Sequence, residues 1–480
     1  MDKKIIGGLG AGVLVLALAF PLSNMGARTL EPAPASRVTH PALQANLDFY
    51  ANSCVDCHSD AAEMPFYASF PLASGMIEEH REEAMAFWDA DRELFVSGLP
   101  SEAALAKIQQ VLETGAMPPA SYKALHWNAG VSPAEKDSQL SMIRALRAEL
   151  SPGYDDPNDP LLARSIMPIV DTSGSLDPAK IELGRKLYHD TRLSVDNTLS
   201  CASCHGLDMG GSDEAVSSTG VEDQKGPINS PTVFNSVYAV AQFWDGRADD
   251  LQAQAAGPVE NPMEMGDKWD DVVVELAQDP VFVAEFMAVY GPEGWTAEQL
   301  PEVVEGEPLA TPAELTAEAL TDAIAVFEMT LVTPNSPFDR WLKGETDAMS
   351  ADAIAGWEIF DAKGCDTCHA GQAMGQTSFE KMGVTGDYFA ARGNPTDVDK
   401  GRMGVTEDPA DMHRFKVPTL RNVAVSWPYF HDGATRDLDQ AVRTMATYQR
   451  EHQLADDEVT KVVAFLESLT GEYKGEPLDG

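Results

Sequence analysis

Apolar residues recur at intervals of three and four along several segments of the chain, which is the period of helices that bury one face. Ser132-Pro133-Ala134-Glu135 forms a capping box before one segment, and Asp177-Pro178 places an N-cap and a proline at the start of another. The pattern predicts helices over residues 41–52, 133–150, 178–187, 313–330, 351–359 and 459–466. Strand-like alternation is sparse, so the chain is predicted to be mostly α with long loops.

An apolar run, broken only by glycine and one proline, occupies residues 5–22 directly after Lys3 and Lys4. A helix of this length spans about 27 Å, close to the hydrocarbon core of a bilayer. We therefore predict a retained N-terminal transmembrane helix that anchors a periplasmic protein to the inner membrane. The alternative is a cleaved signal peptide, with Ala17-Leu18-Ala19 as the cleavage site, which exports the same chain.

Breaker-rich stretches divide the exported part of the chain. They lie at residues 151–160 and 333–337. The predicted organisation is an anchor or signal at 1–24, followed by three domains at 25–160, 161–333 and 334–480. Each of these domains carries one copy of the same cysteine motif.

The charge of the chain narrows its range of partners. It has 76 acidic and 34 basic residues, a formal net charge of −42. A surface this acidic repels phosphate backbones, so no nucleic-acid partner is expected. Hydrophobic residues make up 44% of the chain, as in an ordinary globular protein, which excludes wholesale disorder.

All six cysteines belong to three C-x-x-C-H motifs. In c-type haem attachment, two thiols on one helical turn bind the porphyrin and the following histidine binds the iron. A zinc site would need four ligands, and no second C-x-x-C or H-x-x-x-H lies near any motif. The predicted cofactors are therefore three covalently bound haem c groups. Their attachment residues are Cys54, Cys57, Cys201, Cys204, Cys365 and Cys368, and their proximal ligands are His58, His205 and His369.

Ordered motifs surround the second and third of these sites. They occupy residues 201–205, 226–232, 243–248, 257–265, 337–344, 415–422 and 428–433. Together they resemble bacterial di-haem cytochrome c peroxidases. The extra N-terminal haem unit and the predicted anchor make the chain look like the tri-haem, membrane-bound branch of that family, the quinol peroxidases. The resemblance implies three cytochrome-c-like haem domains in tandem after the N-terminal transmembrane helix.

The same resemblance implies roles for individual residues. In the family the middle haem is peroxidatic, and a glutamine and a glutamate over its distal face map to Gln254 and Glu264. Trp244 aligns with a tryptophan between two haems and is a candidate electron relay, with simple core packing as the alternative. Met445 falls where the family has the axial methionine of the third haem, whereas the related tryptophan-tryptophylquinone maturase has tyrosine there.

Two further expectations come from the family pattern. The family binds calcium between two domains, and Asn229, Ser426 and Pro428 match its side-chain ligand and its two carbonyl donors. Val221 stands where most di-haem members carry a distal histidine that closes the peroxidatic haem. We therefore expect an iron that is open in the oxidised state. The alternative is ligation by Met209, Met263 or Met265, which we interpret as packing residues.

The first haem, bound by His58, needs a sixth ligand outside these motifs. Met117 is the predicted ligand, because Gly115-Ala116-Met117-Pro118-Pro119 presents a methionine on a stiff turn. His80 and His126 are the alternatives.

These features predict a tri-haem peroxidase that reduces hydrogen peroxide to water at the His205 haem. Electrons would come from quinol, enter at the first haem and pass through the His369/Met445 haem, with a small soluble cytochrome c as the alternative donor. A homodimer is expected because the family is often dimeric. The rival interpretations are a non-catalytic electron-transfer cytochrome, disfavoured by Gln254 and Glu264, and a maturase-like enzyme, disfavoured by Met445.

Overall fold

The computed structural model of the protein describes residues 32–62, 64, 66–299 and 310–478. The chain separates into two units, Met1–Ser165 and Ile166–Gly480. The second unit contains two of the three cysteine motifs. The domain limits predicted at residues 160 and 333 stay predictions.

The predicted fold class is wrong in its N-terminal transmembrane helix. In the part of the chain that the structure describes, no helix has both the length and the apolar character needed to cross a bilayer. The longest described helix, Pro133–Leu150, has 18 residues but carries charged side chains along its length. Residues 5–22, on which the predicted helix and the inner-membrane anchor rest, lie outside the described residues. The described fold is mostly α.

The first unit consists of helices around one apolar core. Its helices are α1 (Pro32–Arg37), α2 (Pro41–Gln44), α3 (Leu47–Ser53), α4 (Val55–His58), α5 (Pro71–Phe87), α6 (Ala90–Glu93), α7 (Glu102–Thr114), α8 (Ala120–Leu125) and α9 (Pro133–Leu150). The capping box predicted before α9 is confirmed, because the Ser132 hydroxyl accepts from the Glu135 N–H and Glu135 accepts from the Ser132 N–H. The buried centre of the unit includes Tyr50, Phe95, Leu105, Ile143 and Leu146.

The second unit is also mostly helical and holds two small antiparallel sheets. Its helices are α10 (Pro178–Tyr188), α11 (Cys201–Cys204), α12 (Leu251–Glu260), α13 (Trp269–Leu276), α14 (Pro280–Tyr290), α15 (Ala317–Glu328), α16 (Pro337–Leu342), α17 (Ala351–Ala362), α18 (Tyr388–Arg392), α19 (Met403–Thr406), α20 (Leu438–Arg450) and α21 (Asp456–Glu467). Its strands are β1 (Phe379–Lys381), β2 (Arg414–Lys416), β3 (Glu472–Tyr473) and β4 (Glu476–Pro477). Strand β1 pairs with β2, with Phe379 opposite Lys416, and β3 pairs with β4.

Two helix pairs in this unit cross in the same way, each at a glycine. A Cβ on Gly184 of α10 would lie 1.9 Å from the Ala323 carbonyl oxygen of α15. A Cβ on Gly356 of α17 would lie 1.9 Å from the Lys461 carbonyl oxygen of α21. Only glycine permits so close an approach of two backbones. In each pair, the helix that precedes a C-x-x-C-H motif therefore packs directly on a later helix of the second unit.

Arg421 joins distant segments in the interior of the second unit. Its fully buried guanidinium donates from Nε to the Gln372 carbonyl (2.8 Å) and from Nη2 to the Met167 carbonyl (3.0 Å). Its Nη1 lies 2.9 Å from Oδ1 of Asp339, whose side chain is equally buried. Neither Asp339 oxygen is in hydrogen-bonding geometry with another group of the described chain, so Arg421 is the charge that balances this carboxylate.

We expect Arg421→Met to lower the free energy of unfolding by about 3–5 kcal/mol, because it leaves a buried carboxylate without its counter-charge. Denaturant unfolding of the haem-loaded protein measures this loss. Arg443→Met is the matched control, since Arg443 pairs with Asp439 and Asp456 at the surface and its loss costs about 0–1 kcal/mol. Equal effects of the two substitutions would contradict the role of Arg421.

Candidate active site

Each C-x-x-C-H motif folds as one tight turn. The histidine N–H donates to the carbonyl of the first cysteine in all three: His58 to Cys54 (3.1 Å), His205 to Cys201 (3.0 Å) and His369 to Cys365 (3.1 Å). All six cysteines are free of disulfides. One turn thus presents two thiols and an imidazole together, which is the donor set that covalent haem attachment requires.

The second nitrogen of each imidazole is held by a backbone carbonyl. Nδ1 of His58 lies 2.8 Å from the Trp88 oxygen. Nδ1 of His205 lies 3.3 Å from the Gly211 oxygen, and Nδ1 of His369 lies 3.3 Å from the Met374 oxygen. A carbonyl only accepts, so Nδ1 carries the proton and Nε2 keeps its lone pair for iron.

Burial keeps these imidazoles neutral. It lowers the pKa of His58 and of His205, and it lowers the pKa of His369 to about 4. The backbone carbonyls at Nδ1 oppose this shift but do not outweigh it. A neutral imidazole is the form that binds a metal, so all three side chains fit a proximal haem ligand.

One cavity of the second unit brings together the site residues predicted there, with the exception of Cys368, which is not among its lining residues. Both attachment turns open on it. Its lining includes Cys201, Cys204, His205, Asn229, Trp244, Gln254, Glu264, Cys365, His369, Ser426, Pro428 and Met445. The structure does not show the predicted roles of these residues, but it places them around one continuous space.

Glu264 lies in a loop that folds back on the end of α12. Its N–H donates to the Asn261 carbonyl (2.9 Å), and the Asn261 side-chain amide donates to its Oε1 (2.7 Å). Burial raises the pKa of Glu264, while the bond from Asn261 and the charge of Arg247 oppose that rise. Gln254 lies on α12 and lines the same cavity. The pair therefore provides one carboxyl and one amide near the attachment turn of His205.

The turn that carries Val221 is docked on the same loop. The Val221 N–H donates to the Glu264 carbonyl (2.8 Å), and a Cβ on Gly220 would lie 2.0 Å from the Met263 carbonyl oxygen. The Val221 side chain is buried beside Gly266, and it is not among the residues that line the cavity. In this arrangement residue 221 does not reach toward His205.

Trp244 and Asn229, one of the predicted calcium ligands, belong to one hydrogen-bond network. The Trp244 indole donates to the Asn229 carbonyl (2.9 Å), and the Asn229 N–H donates to the His431 carbonyl (2.8 Å). In the described chain, the carbonyls of Ser426 and Pro428 accept no hydrogen bond. Amide and carbonyl oxygens suit a hard cation such as calcium, so the residues present fit the predicted ion.

His431 is a buried residue of this network that the sequence did not single out. Its Nε2 lies 2.8 Å from Oδ1 of Asp399, which Arg392 also binds. Its ring stacks on Phe415 with centroids 4.4 Å apart. The only sequence signal was its place within the 428–433 motif. Met445 lies on α20, where it packs against the apolar cluster that includes Trp244 and Phe415.

The predicted sixth ligand of the first haem lies on the surface of the first unit. Met117 follows α7 and is 44% exposed. His80 on α5 is exposed as well. His126 is buried, with Nδ1 3.1 Å from the Tyr122 carbonyl and Nε2 4.0 Å from Oδ2 of Asp56 in the attachment turn. Ligation by Met117 stays a prediction.

Comparison with known protein families agrees with this arrangement of motifs. Residues 178–347 match the model of the di-haem cytochrome c peroxidases, residues 13–145 that of a haem-binding domain, and residues 353–470 that of cytochrome c. Each model match spans one C-x-x-C-H motif.

Individual relatives point the same way. Cytochrome c peroxidase Ccp of Escherichia coli (strain K12) is 42% identical, over 88% of this chain and 86% of its own. Cytochrome c551 peroxidase of Nitrosomonas europaea is 45% identical, over 61% of this chain and 80% of its own. A solved MauG-like protein associated with microbial copper homeostasis covers 64% of this chain and 93% of its own, with a TM-score of 0.52 at 24% identity. That likeness concerns the fold alone.

Proposed function

We propose that this chain, which belongs to the di-haem cytochrome c peroxidase family, is a tri-haem peroxidase that reduces hydrogen peroxide to water at the haem of His205. Membership makes it a c-type haem peroxidase and an oxidoreductase. The finer proposal is carried by one observation: a half-buried carboxyl, Glu264, and an amide, Gln254, line the cavity into which the His205 attachment turn opens.

The residues of the cavity suit the proton transfers of peroxide cleavage. Haem, when bound, supplies electrons to the peroxide. Glu264 would take the proton from one peroxide oxygen and return it to the other oxygen as that oxygen leaves. Gln254 would hold the peroxide in place through its side-chain amide. Asn261 fixes the carboxyl by donating to Oε1, so that the second oxygen is available for the proton.

We expect Glu264→Gln to lower kcat/KM for peroxide by about 10²–10⁴-fold, since an amide cannot accept the proton. In the unsubstituted enzyme the carboxylate is the active form and burial raises its pKa. The activity should therefore fall on the acid side at a pH above 4.5, the ordinary pKa of the group. Steady-state peroxide consumption across pH, at matched haem content, measures both. Glu260→Gln, at an exposed position of α12, is the control. If Glu264→Gln lowers kcat/KM no more than this control does, the role of Glu264 is refuted.

The proposed peroxidatic haem is open without prior reduction. The support is Val221, whose side chain cannot bind a metal and whose N–H holds its turn against the Glu264 loop. The described part of the second unit also has no other histidine between His205 and His369. We propose that the haem at His205 would receive no second protein ligand, which would leave that position for the peroxide.

We expect the oxidised, as-isolated protein to show a high-spin ferric signal by electron paramagnetic resonance, because His205 would be the only protein ligand to its iron. Cyanide, a strong-field ligand, should convert that signal to low spin and is the control for an accessible position. A fully low-spin spectrum before cyanide is added would overturn the open site.

Features of the first unit favour a third haem in this chain. They also favour an electron donor different from the cytochrome c named for shorter relatives. The Nitrosomonas europaea relative matches 61% of this chain, whereas the Escherichia coli relative matches 88%. The haem-binding domain model covers the added part, and His58 there has the same neutral, carbonyl-held imidazole as the other two sites. Trp127 is 52% exposed and Leu125 39% exposed on this unit, which suits an apolar donor. We propose quinol as the donor, with a small cytochrome c, the donor in the relatives' names, as the alternative.

We expect the double substitution Cys54→Ser, Cys57→Ser to reduce the haem content from three to two per chain and to abolish turnover with reduced quinol. Peroxide reduction with a small chemical reductant should persist, because the second unit is unchanged. Haem content from the pyridine haemochrome, and peroxide consumption with quinol and with reduced cytochrome c as separate donors, test this. Turnover with cytochrome c alone, or quinol turnover that survives the substitution, would refute the quinol proposal.

The remaining assignments complete the proposal. Met445 would be the axial ligand of the His369 haem, Trp244 would relay electrons, and calcium would bind at Asn229, Ser426 and Pro428. A periplasmic location is proposed as well, since covalent haem attachment implies export.

A further inference from the structure

Lys416 differs from every other buried cation of the described chain. Four lysine or arginine side chains there are buried: Lys107, Arg147, Lys416 and Arg421. Three of these four have a carboxylate partner, which is Glu93 for Lys107, Glu102 for Arg147 and Asp339 for Arg421. Lys416 is 8% exposed, and within the described residues its ammonium forms no ion pair.

A buried ammonium without a counter-charge is costly, and proteins pair such groups. Burial lowers the pKa of Lys416 to about 8. The charge of Asp245 opposes that shift but does not cancel it. Asp245 is itself paired with Arg247 at 3.1 Å. In a chain with 76 acidic residues, a buried lysine that forms an ion pair with none of those in the described residues indicates that its partner is not part of the polypeptide.

The position of Lys416 indicates what that partner is. It ends strand β2 and lines the cavity shared by the two attachment turns. Its N–H donates to the Trp244 carbonyl (2.8 Å). The next residue, Val417, accepts from the Gln376 N–H (2.7 Å), in the segment whose Met374 carbonyl holds the His369 imidazole.

We propose that Lys416 binds a propionate carboxylate of the haem attached at Cys365 and Cys368. The inference rests on haem binding at His369, which belongs to the proposed function. A porphyrin carries its propionates on the edge opposite its vinyl groups, so thioether bonds at the cysteines would direct two carboxylates away from the attachment turn. The ammonium of Lys416 would neutralise one of them beside Trp244.

The consequence is electrostatic. A positive charge at a propionate disfavours the ferric form, which carries one more positive charge than the ferrous form. Lys416 would therefore raise the reduction potential of the His369 haem and would favour its filling with electrons. It acts through the haem carboxylate, which makes it a positioning residue rather than a catalytic one.

Lys416→Met in the haem-loaded full chain tests this proposal. Spectroscopic redox titration without peroxide should show a lower midpoint potential for the His369 haem. We expect at least about a tenfold change in its ferrous-to-ferric ratio, which is about 59 mV for a one-electron couple. Lys416→Arg keeps the charge and should stay near the unsubstituted value. The His205 haem should shift less in both variants.

Three outcomes would overturn the proposal: an unchanged midpoint in Lys416→Met, an equal shift in Lys416→Arg, or a shift confined to the His205 haem. If Lys416→Met fails to take up its haems, Lys416→Gln carries the same test with a polar side chain. The readout is a potential and not turnover. An unchanged potential therefore leaves the peroxidase proposal intact, and haem stoichiometry reports on that proposal separately.

Discussion

A neutral imidazole whose Nδ1 proton is committed to a backbone carbonyl is the constraint on which the rest of the structure depends. Without that carbonyl the ring could turn or bind iron through either nitrogen. In the second unit the carbonyl comes from the same loop, six residues after His205 and five after His369. In the first unit it comes from Trp88, 30 residues after His58, so there the ligand depends on tertiary packing.

The burial that keeps the histidines neutral also acts on the acids of the cavity. Glu264 is half-buried and desolvation raises its pKa, although Asn261 and Arg247 oppose the shift. Glu328 of α15 lines the same cavity, and burial raises its pKa to about 8. The two acids differ in their surroundings, since Oε2 of Glu328 lacks a partner in the described chain. A site that needs a carboxylate must therefore stabilise it locally, as Asn261 does for Glu264.

Local signals in the sequence were sufficient for much of the helical framework. The capping box at Ser132 is present, and the helix predicted over 178–187 is Pro178–Tyr188. Prediction was poorer where tertiary contacts decide: residues 41–52 form two helices, Pro41–Gln44 and Leu47–Ser53, rather than one. The cysteine spacing located the attachment turns, because that chemistry is local. The spacing could not show which backbone carbonyl holds the imidazole of His58, because that carbonyl belongs to Trp88 and is remote in sequence.

His431 and Lys416 show why part of the site was out of reach of sequence patterns. Both lie in motifs that carried the family resemblance, 428–433 and 415–422, yet residue type alone gave neither a role. What distinguishes each residue is whether its buried side chain has a charged partner, and the two residues differ in this respect. His431 is buried against Asp399, whereas Lys416 is buried and forms no ion pair with a carboxylate in the described chain. In a chain of net charge −42, a buried cation that has no ion-pair partner among the described residues is as informative as a paired charge, because the surrounding sequence offers acids in excess. The cofactor, with two carboxylates of its own, is the anion that such a position can serve.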